Sequence, residues 1–134
     1  MFQSRVLCTG DRNWNNEEIV RSALATIGPG TTIMQGMCRG ADLQVRKVAV
    51  ELGIPVEDYP ADWSVGKRAG PMRNQEMVNK CPVLVMAFHN NIYNSRGTLD
   101  CVKRGLKAGI RVFLFTDTEV RELFPNFPEE GGIR

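Results

Sequence analysis

Short apolar runs alternate along this chain with longer segments whose apolar residues recur at helical spacing. The runs are predicted strands because each ends near glycine, proline or a polar turn. They cover residues 5–9, 31–35, 55–59, 82–88 and 111–115. The first helical segment shows the spacing in Ile19, Val20, Ala23 and Leu24. Strand and helix therefore follow one another in regular alternation.

This alternation, with its short connections, predicts an α/β fold. We expect a single Rossmann-like domain over residues 1–134, with a five-stranded parallel sheet in the order 3-2-1-4-5 and helices on both faces. The fourth run contains no charge, which is typical of a central strand, whereas proline and charges place the third near an edge. Residues 117–134 are predicted to form a C-terminal tail, helix-like around residues 120–124.

Four glycine-bearing turns carry arginine and lie beside predicted strand ends or helix starts, at residues 9–12, 35–42, 69–74 and 95–98. Such turns expose backbone N–H groups at the positive end of the helix dipole, and arginine adds charged donors. In this fold the turns meet outside the carboxyl ends of the strands, where the strand order reverses. They predict a binding site for phosphate or another polyanion.

The turns supply most of the candidate ligand-binding residues. The candidate phosphate contacts are Arg12, Arg39, Lys67, Arg73 and Arg96, and the candidate backbone, amide or hydroxyl contacts are Gly10, Gly36, Asn74, Ser95, Gly97 and Thr98. Asp62 or Asp100 would accept hydrogen bonds from ribose hydroxyls. For the charged side chains the alternative is an ordinary solvated loop.

Three residues near these turns keep two interpretations each. Arg73 is predicted in the first turn of a helix that Pro71 begins, where arginine opposes the helix dipole. It therefore indicates an anionic partner, which is either a ligand or Glu76. Asp42 is interpreted first as a helix N-cap. Trp63 either stacks on a base or anchors a long loop.

Composition weighs against several other functions. The formal net charge is +2, too small to indicate non-specific nucleic-acid binding. His89 is the only histidine and the four cysteines have no C-x-x-C spacing, so we expect no metal site and no cofactor. No apolar run approaches the ~20 residues that span a bilayer. We expect a cytoplasmic protein without membrane contact.

The combination of motifs resembles the SLOG superfamily, and within it the YspA-like branch. The motifs are Thr9-Gly10 with Arg12 and Trp14, Gly40-Ala41-Asp42, Ala61-Asp62-Trp63, residues 69–74, and Ser95-Arg96-Gly97-Thr98 with Asp100. Each motif alone is weak, but together they are specific and cover nearly the whole chain up to about Phe115. The superfamily includes the lonely-guy phosphoribohydrolases, the DprA DNA-processing proteins and many domains inferred to bind nucleotides or nucleotide-derived signals.

The resemblance implies a sensor or processing domain that binds a nucleotide or a ribose-phosphate derivative. In the phosphoribohydrolases an arginine-containing helix and a glycine-rich turn form the site; Arg73 resembles that arginine, and Gly97-Thr98 that turn. Asn74 stands where those enzymes usually carry lysine, and Asp100 is shorter than their glutamate, which weighs against hydrolysis. N-glycosidic cleavage of nucleoside monophosphates, with Asp100 and Arg73 catalytic, is the first alternative, and a DprA-like DNA-associated module is the second.

The tail carries apolar residues after the last predicted core strand, namely Leu123, Phe124, Phe127 and Ile133. Exposed apolar clusters usually meet a partner surface, and the resembling families are commonly homodimers or larger. We therefore expect a homo-oligomer, most simply a twofold dimer. The alternative is a monomer whose tail covers the sheet edge beside strand five.

Overall fold

A computed structural model describes residues 3–127, which form a sheet with helices on both faces. The strands are β1 (Ser4–Gly10), β2 (Thr31–Gln35), β3 (Val56–Asp58), β4 (Leu84–Phe88), β5 (Arg111–Phe115) and β6 (Val120–Leu123). The helices are α1 (Glu17–Leu24), α2 (Ala41–Glu51), α3 (Ala69–Asn79) and α4 (Gly97–Lys107), with short 3-10 turns at Trp63–Val65 and Ile92–Asn94.

The sheet has the order β3-β2-β1-β4-β5-β6. Its first five strands pair in parallel, which confirms the predicted order and the edge position of the short β3. β6 pairs antiparallel with β5, with Leu123 opposite Val112. The described sheet is therefore mixed and six-stranded, which corrects the prediction of five parallel strands.

The predicted helix-like stretch around residues 120–124 is wrong, because residues 120–123 form strand β6. The apolar residues Val120, Leu123 and Phe124 fit helical spacing, but so short a segment also fits a strand. Pairing with β5 decides between the two, and Arg111 of β5 donates hydrogen bonds of 3.0 and 2.8 Å to the Glu122 carboxylate.

The predicted apolar cluster of the tail is largely internal. Leu123 and Phe127 are buried in the core, whereas Phe124 is exposed. Ile133 lies outside the described residues. The homo-oligomer stays a prediction, and within residues 3–127 Phe124 is the exposed member of the cluster on which that prediction rested.

Side chains of each strand alternate between two cores, one on each face of the sheet. Val85 and Ala87 of β4 pack with α3 and α4, while Met86 and Phe88 pack with α1 and α2. Burial of one such large side chain stabilises a fold by about 1.5–3 kcal/mol. The two cores fix the helices against the sheet and thereby fix the ends of the helices that face the carboxyl ends of the strands.

Helix starts differ in part from those predicted. Asn16 caps α1, since its Oδ1 accepts a hydrogen bond of 3.3 Å from the Ile19 N–H. α3 begins at Ala69, so Pro71 is its third residue rather than its first. Proline is tolerated there because the first four N–H groups of a helix have no intrahelical acceptor.

Within residues 3–127, each helix is too short or too polar to cross a bilayer.

Candidate functional site

A cleft of about 620 Å³ opens at the carboxyl ends of β1 and β4. It lies at the predicted position, where the strand order reverses between these two strands. The loops after both strands and the starts of α2, α3 and α4 form its walls. The predicted site residues that line it are Gly10, Arg12, Arg39, Lys67, Arg73, Asn74, Ser95, Arg96, Gly97, Thr98 and Asp100. Eleven of the thirteen predicted site residues thus line the cleft.

Four cations form the rim of this cleft, namely Arg12, Arg39, Lys67 and Arg96. All four are exposed, and none of their side chains has a hydrogen bond or ion pair with another described residue. Elsewhere in residues 3–127, ion pairs engage Arg5, Arg21, Arg46, Arg104 and Arg111, as in the contact of Arg5 with Glu57 at 2.9 Å. The rim cations are therefore available to an anion from solution.

Three helix N-termini meet at the same cleft. The N-cap residues of α2, α3 and α4 are Gly40, Arg68 and Arg96, and none of them caps its helix with a side chain. At the start of α4 the Ser95 hydroxyl instead accepts a hydrogen bond of 2.9 Å from the Thr98 N–H. Helix N-termini carry partial positive charge, even where first-turn N–H groups such as those of Ala41 and Ala69 already donate to backbone carbonyls. They add to the positive potential of the rim.

Arg73 lies deeper than the rim cations and is held by the protein itself. It is the fifth residue of α3, so the prediction that it stands in the first turn is wrong. Its guanidinium donates hydrogen bonds to the carbonyl oxygens of Gly36 at 2.6 Å and Tyr59 at 3.2 Å. No ion pair with Glu76 forms among the described residues. Arg73 therefore ties the loop after β2 to α3.

Asn74 and Asp100 link α3 to α4 through a hydrogen-bond network. Asn74 Nδ2 donates to Asp100 Oδ2 at 3.0 Å, and Arg104 Nε donates to the same oxygen at 2.9 Å. Arg104 also donates to Gln75 Oε1 at 2.9 Å. One oxygen of Asp100 is thus already engaged by two donors, which positions the other carboxylate oxygen at the cleft wall.

Two predicted site residues are not among those that line the cleft. Gly36 lies beside it and leaves room for Arg73, because an added Cβ would lie 2.7 Å from Cζ of that arginine. Asp62 instead caps the 3-10 turn at Trp63–Val65, accepting a hydrogen bond of 3.1 Å from the Ser64 N–H. The Asp62 contact organises the loop that carries Trp63.

Asp42 is a cleft residue that the sequence interpretation missed. The N-cap of α2 is Gly40, so the interpretation of Asp42 as the cap is wrong. Asp42 is 6% exposed, and its Oδ2 accepts a hydrogen bond of 3.2 Å from the Cys38 N–H. Its Oδ1 has no partner among the described residues. Burial raises the pKa of Asp42 to about 6, an effect that the Cys38 hydrogen bond and the Arg73 charge only partly offset.

This carboxylate should make the protein less stable at neutral pH than its amide variant. The folded pKa of Asp42 is about 6, whereas a free aspartate has about 3.9. The folded state therefore holds the proton more tightly, and Asp42 destabilises the fold as pH rises from 4 through 6. We expect Asp42→Asn to raise the free energy of unfolding by about 2 kcal/mol at pH 7.5 and to have little effect near pH 4. Urea denaturation at both pH values measures this, and an equal gain at the two would contradict it.

His89 and Asp11 form a second pair that sequence reasoning missed. His89 directly follows β4 and is 8% exposed. Its Nδ1 accepts a hydrogen bond of 2.9 Å from the Asn91 N–H, so the proton is on Nε2, which lies 3.9 Å from Asp11 Oδ2. Burial lowers the pKa of His89, and the Asp11 charge offsets this in part. His89 is therefore a neutral ring that can donate a hydrogen bond through Nε2. The signal in the sequence was a polar residue directly after a central strand.

Trp63 lines the cleft with its ring 52% exposed. It packs over Gly70, where an added Cβ would lie 3.3 Å from the indole. Trp14, in contrast, is buried against Phe88 with ring centroids 5.8 Å apart. Trp63 is therefore the aromatic surface at the cleft, and Trp14 belongs to the core.

Residues 3–127 contain no cluster of three or more histidine, cysteine, aspartate or glutamate side chains with the geometry of a metal site. Cys38 and Cys8 line the cleft as free thiols, the latter buried, and Cys101 is also free and buried. The cleft is therefore lined by cationic side chains, by neutral polar side chains such as Asn74 and Ser95, and by the carboxylates of Asp11, Asp42 and Asp100.

Comparison with known proteins agrees with this architecture. The X-ray structure of DNA processing protein A (DprA) from Streptococcus pneumoniae superposes with a TM-score of 0.68 at 15% sequence identity. The match covers 84% of this chain and 50% of that one, so the chain spans half the length of that structure. At this identity the likeness concerns the fold alone.

Sequence comparison identifies the family. Residues 4–66 match the model of the YspA, cpYpsA-related SLOG family. The Gene 61 protein of Mycobacterium phage D29 is 37% identical, over 84% of this chain and 97% of that protein. The phage relative matches over almost its full length, and the family model covers slightly less than half of the chain, the part that carries β1, α2 and Asp42. The chain belongs to the YspA, cpYpsA-related SLOG family.

Proposed function

We propose that the cleft binds a nucleotide or a ribose-phosphate derivative, with its phosphate at the cationic rim. The observation that carries the proposal is the convergence of Arg12, Arg39, Lys67 and Arg96 on one cleft without partners among the described residues. Like charges that converge repel one another and destabilise a fold unless an anion joins them. Arginine is suited to phosphate because its planar donors engage two oxygens at once.

The other parts of the cleft suit the remainder of such a ligand. A volume of about 620 Å³ lies within the ordinary range of small-molecule sites. The exposed ring of Trp63 offers a stacking surface for a base. The N-termini of α2, α3 and α4 bring the positive ends of three helix dipoles to the phosphate. The domain would then act as a sensor or processing domain for the ligand.

Hydrolysis of the N-glycosidic bond is the first alternative. It would assign catalysis to Asp100 and Arg73, but both are engaged by protein groups, Asp100 by Asn74 and Arg104, and Arg73 by two carbonyl oxygens. These contacts favour binding over cleavage. Release of free base from a panel of nucleoside monophosphates would reverse that preference.

A DNA-associated role is the second alternative, because the similar fold belongs to a protein named for DNA processing. A rim of four cations confined to one cleft supports a small anion better than a long strand. Affinity for single-stranded DNA that falls steeply with salt concentration would favour this alternative.

Rim variants test the proposal directly. We expect Arg39→Gln and Arg96→Gln each to weaken binding of a nucleotide about tenfold, since one charge-assisted hydrogen bond contributes about 1.5 kcal/mol. The melting temperature should change little, because both side chains are exposed and neither has a hydrogen bond or ion pair with the described protein. Calorimetric titration with nucleoside mono-, di- and triphosphates gives the affinities.

The matched control is Arg121→Gln, which removes an exposed arginine of β6 outside the cleft lining. It should leave nucleotide affinity unchanged. Two results contradict the proposed function: no nucleotide in the panel binds the wild-type protein, or the rim variants bind as tightly as the control.

A further inference from the structure

The cleft differs in charge between its rim and its floor. The rim cations are exposed, whereas Thr9, Cys8 and Asp42 line the cleft as buried residues. Among these floor residues Asp42 carries the charge, and its Oδ1 has no hydrogen-bond partner among the described residues. A buried carboxylate oxygen without a donor destabilises the protein, since a polar atom loses its water on burial. A ligand group that donates a hydrogen bond would remove this deficit.

The other oxygen of Asp42 is already committed to the protein. Oδ2 accepts a hydrogen bond of 3.2 Å from the Cys38 N–H, and an added Cβ at Gly36 would lie 3.0 Å from that oxygen. The loop after β2 therefore holds Oδ2, and the carboxylate cannot turn without breaking the bond from Cys38. Oδ1 is left as a fixed, buried acceptor without a partner among the described residues, and it belongs to a residue that lines the cleft.

We propose that Asp42 Oδ1 accepts a hydrogen bond from a sugar hydroxyl of the bound nucleotide and so sets the ligand's orientation. This inference rests on the proposed function above. It adds which chemical group of the ligand enters the floor, and it predicts that ribonucleotides are preferred to their deoxy forms.

The sugar is favoured because of where the two ends of a nucleotide would lie. The phosphate is drawn to the exposed rim cations, and the base has an exposed stacking surface in Trp63. The sugar joins base and phosphate covalently. With both ends held at the outer part of the cleft, the sugar faces inward, and its hydroxyls are hydrogen-bond donors that match a lone acceptor.

The other carboxylates predicted for this role are less suited to it. Asp62 is not among the cleft residues and accepts hydrogen bonds from Ser64. Asn74 and Arg104 both donate hydrogen bonds to one oxygen of Asp100. The bond from Arg104 is charge-assisted, so the protein stabilises the Asp100 carboxylate without a ligand. Asp42 alone among these three is buried with an oxygen that has no partner in residues 3–127.

The test compares each nucleoside monophosphate with its 2′,3′-dideoxy analogue by calorimetric titration. We expect wild-type protein to bind the ribonucleotide at least tenfold more tightly, and Asp42→Ala to bind the two forms within about twofold of each other. Arg96→Gln should weaken both forms equally and so preserve the ratio. Glu76→Gln, an exposed carboxylate change outside the cleft, should alter neither affinity.

Several outcomes overturn the inference. They are equal affinity of wild-type protein for both forms, an unchanged ratio in Asp42→Ala, or loss of the ratio in Asp100→Asn instead. If Asp42→Ala does not fold, the wild-type ratio and the Asp100→Asn ratio still decide. Binding of both forms with equal affinity leaves the proposed function intact, whereas absence of all nucleotide binding overturns the proposed function and this inference with it.

Discussion

Gly10→Ala should lower the free energy of unfolding by about 3 kcal/mol, although it adds one methyl group. An added Cβ would lie 2.5 Å from the carbonyl oxygen of Phe88 and 2.6 Å from Cβ of Ala41. Neither atom can move easily, because the Phe88 carbonyl accepts a hydrogen bond of 2.9 Å from the Asp11 N–H and Ala41 is buried at the start of α2. β1 would have to separate from β4 or from α2.

Gly97→Ala is the matched control for this change. An added Cβ at Gly97 has no neighbour within 4 Å, so we expect a change in the free energy of unfolding within about 0.5 kcal/mol. Urea denaturation of both variants measures the difference. A loss below 1 kcal/mol for Gly10→Ala would mean that the strand ends tolerate separation and that Gly10 is needed only for a ligand.

The structure therefore gives a different reason why position 10 requires glycine. From the sequence, Gly10 was expected to let a ligand approach the backbone. The close approach that the structure describes is made by the protein, through Phe88 and Ala41. The two roles are compatible, because tight packing of β1 against β4 and α2 also fixes the loop that carries Arg12.

Most of the fold was predictable because its strands are apolar runs between helices of clear periodicity. The run at 111–115 is a strand with the predicted bounds, and the uncharged run ending at Phe88 is the central β4. β6 was not predictable in the same way. Its four residues do not alternate between apolar and polar in a way that excludes a helical turn. They form a strand because they pair with the edge of β5, a tertiary contact that the local sequence pattern does not reveal.

The rim of the candidate site was predictable for a similar reason. Arg12, Arg39, Lys67 and Arg96 lie in loops between strands and helices, and a parallel sheet brings such loops to one edge. Arg73 and Asp42 were misinterpreted because their roles depend on where a helix starts. A shift of two residues at the start of α3 moves Arg73 out of the first turn. Because Gly40 is the N-cap of α2, the Asp42 side chain does not cap the helix and lies instead among the buried residues of the cleft.

Gly97→Val should weaken nucleotide binding at least thirtyfold while leaving the fold intact. Gly97 lines the cleft, and no protein atom lies within 4 Å of the place where its Cβ would be. The branched side chain therefore enters the space of the ligand, and overfilling a packed contact costs about 2 kcal/mol. Valine is a slightly better helix former than glycine, so the substitution itself should not destabilise α4.

A control for this prediction is Gly28→Val, because an added Cβ at Gly28 also meets nothing within 4 Å and the residue lies outside the cleft lining. It should preserve nucleotide affinity. Calorimetric titration of both variants, with melting temperatures measured on the same samples, separates binding from folding. If Gly97→Val binds as tightly as Gly28→Val, the ligand does not contact the start of α4. If its melting temperature collapses while the folded fraction binds normally, Gly97 serves the turn before α4 and the phosphate must lie nearer to Arg12 and Arg39.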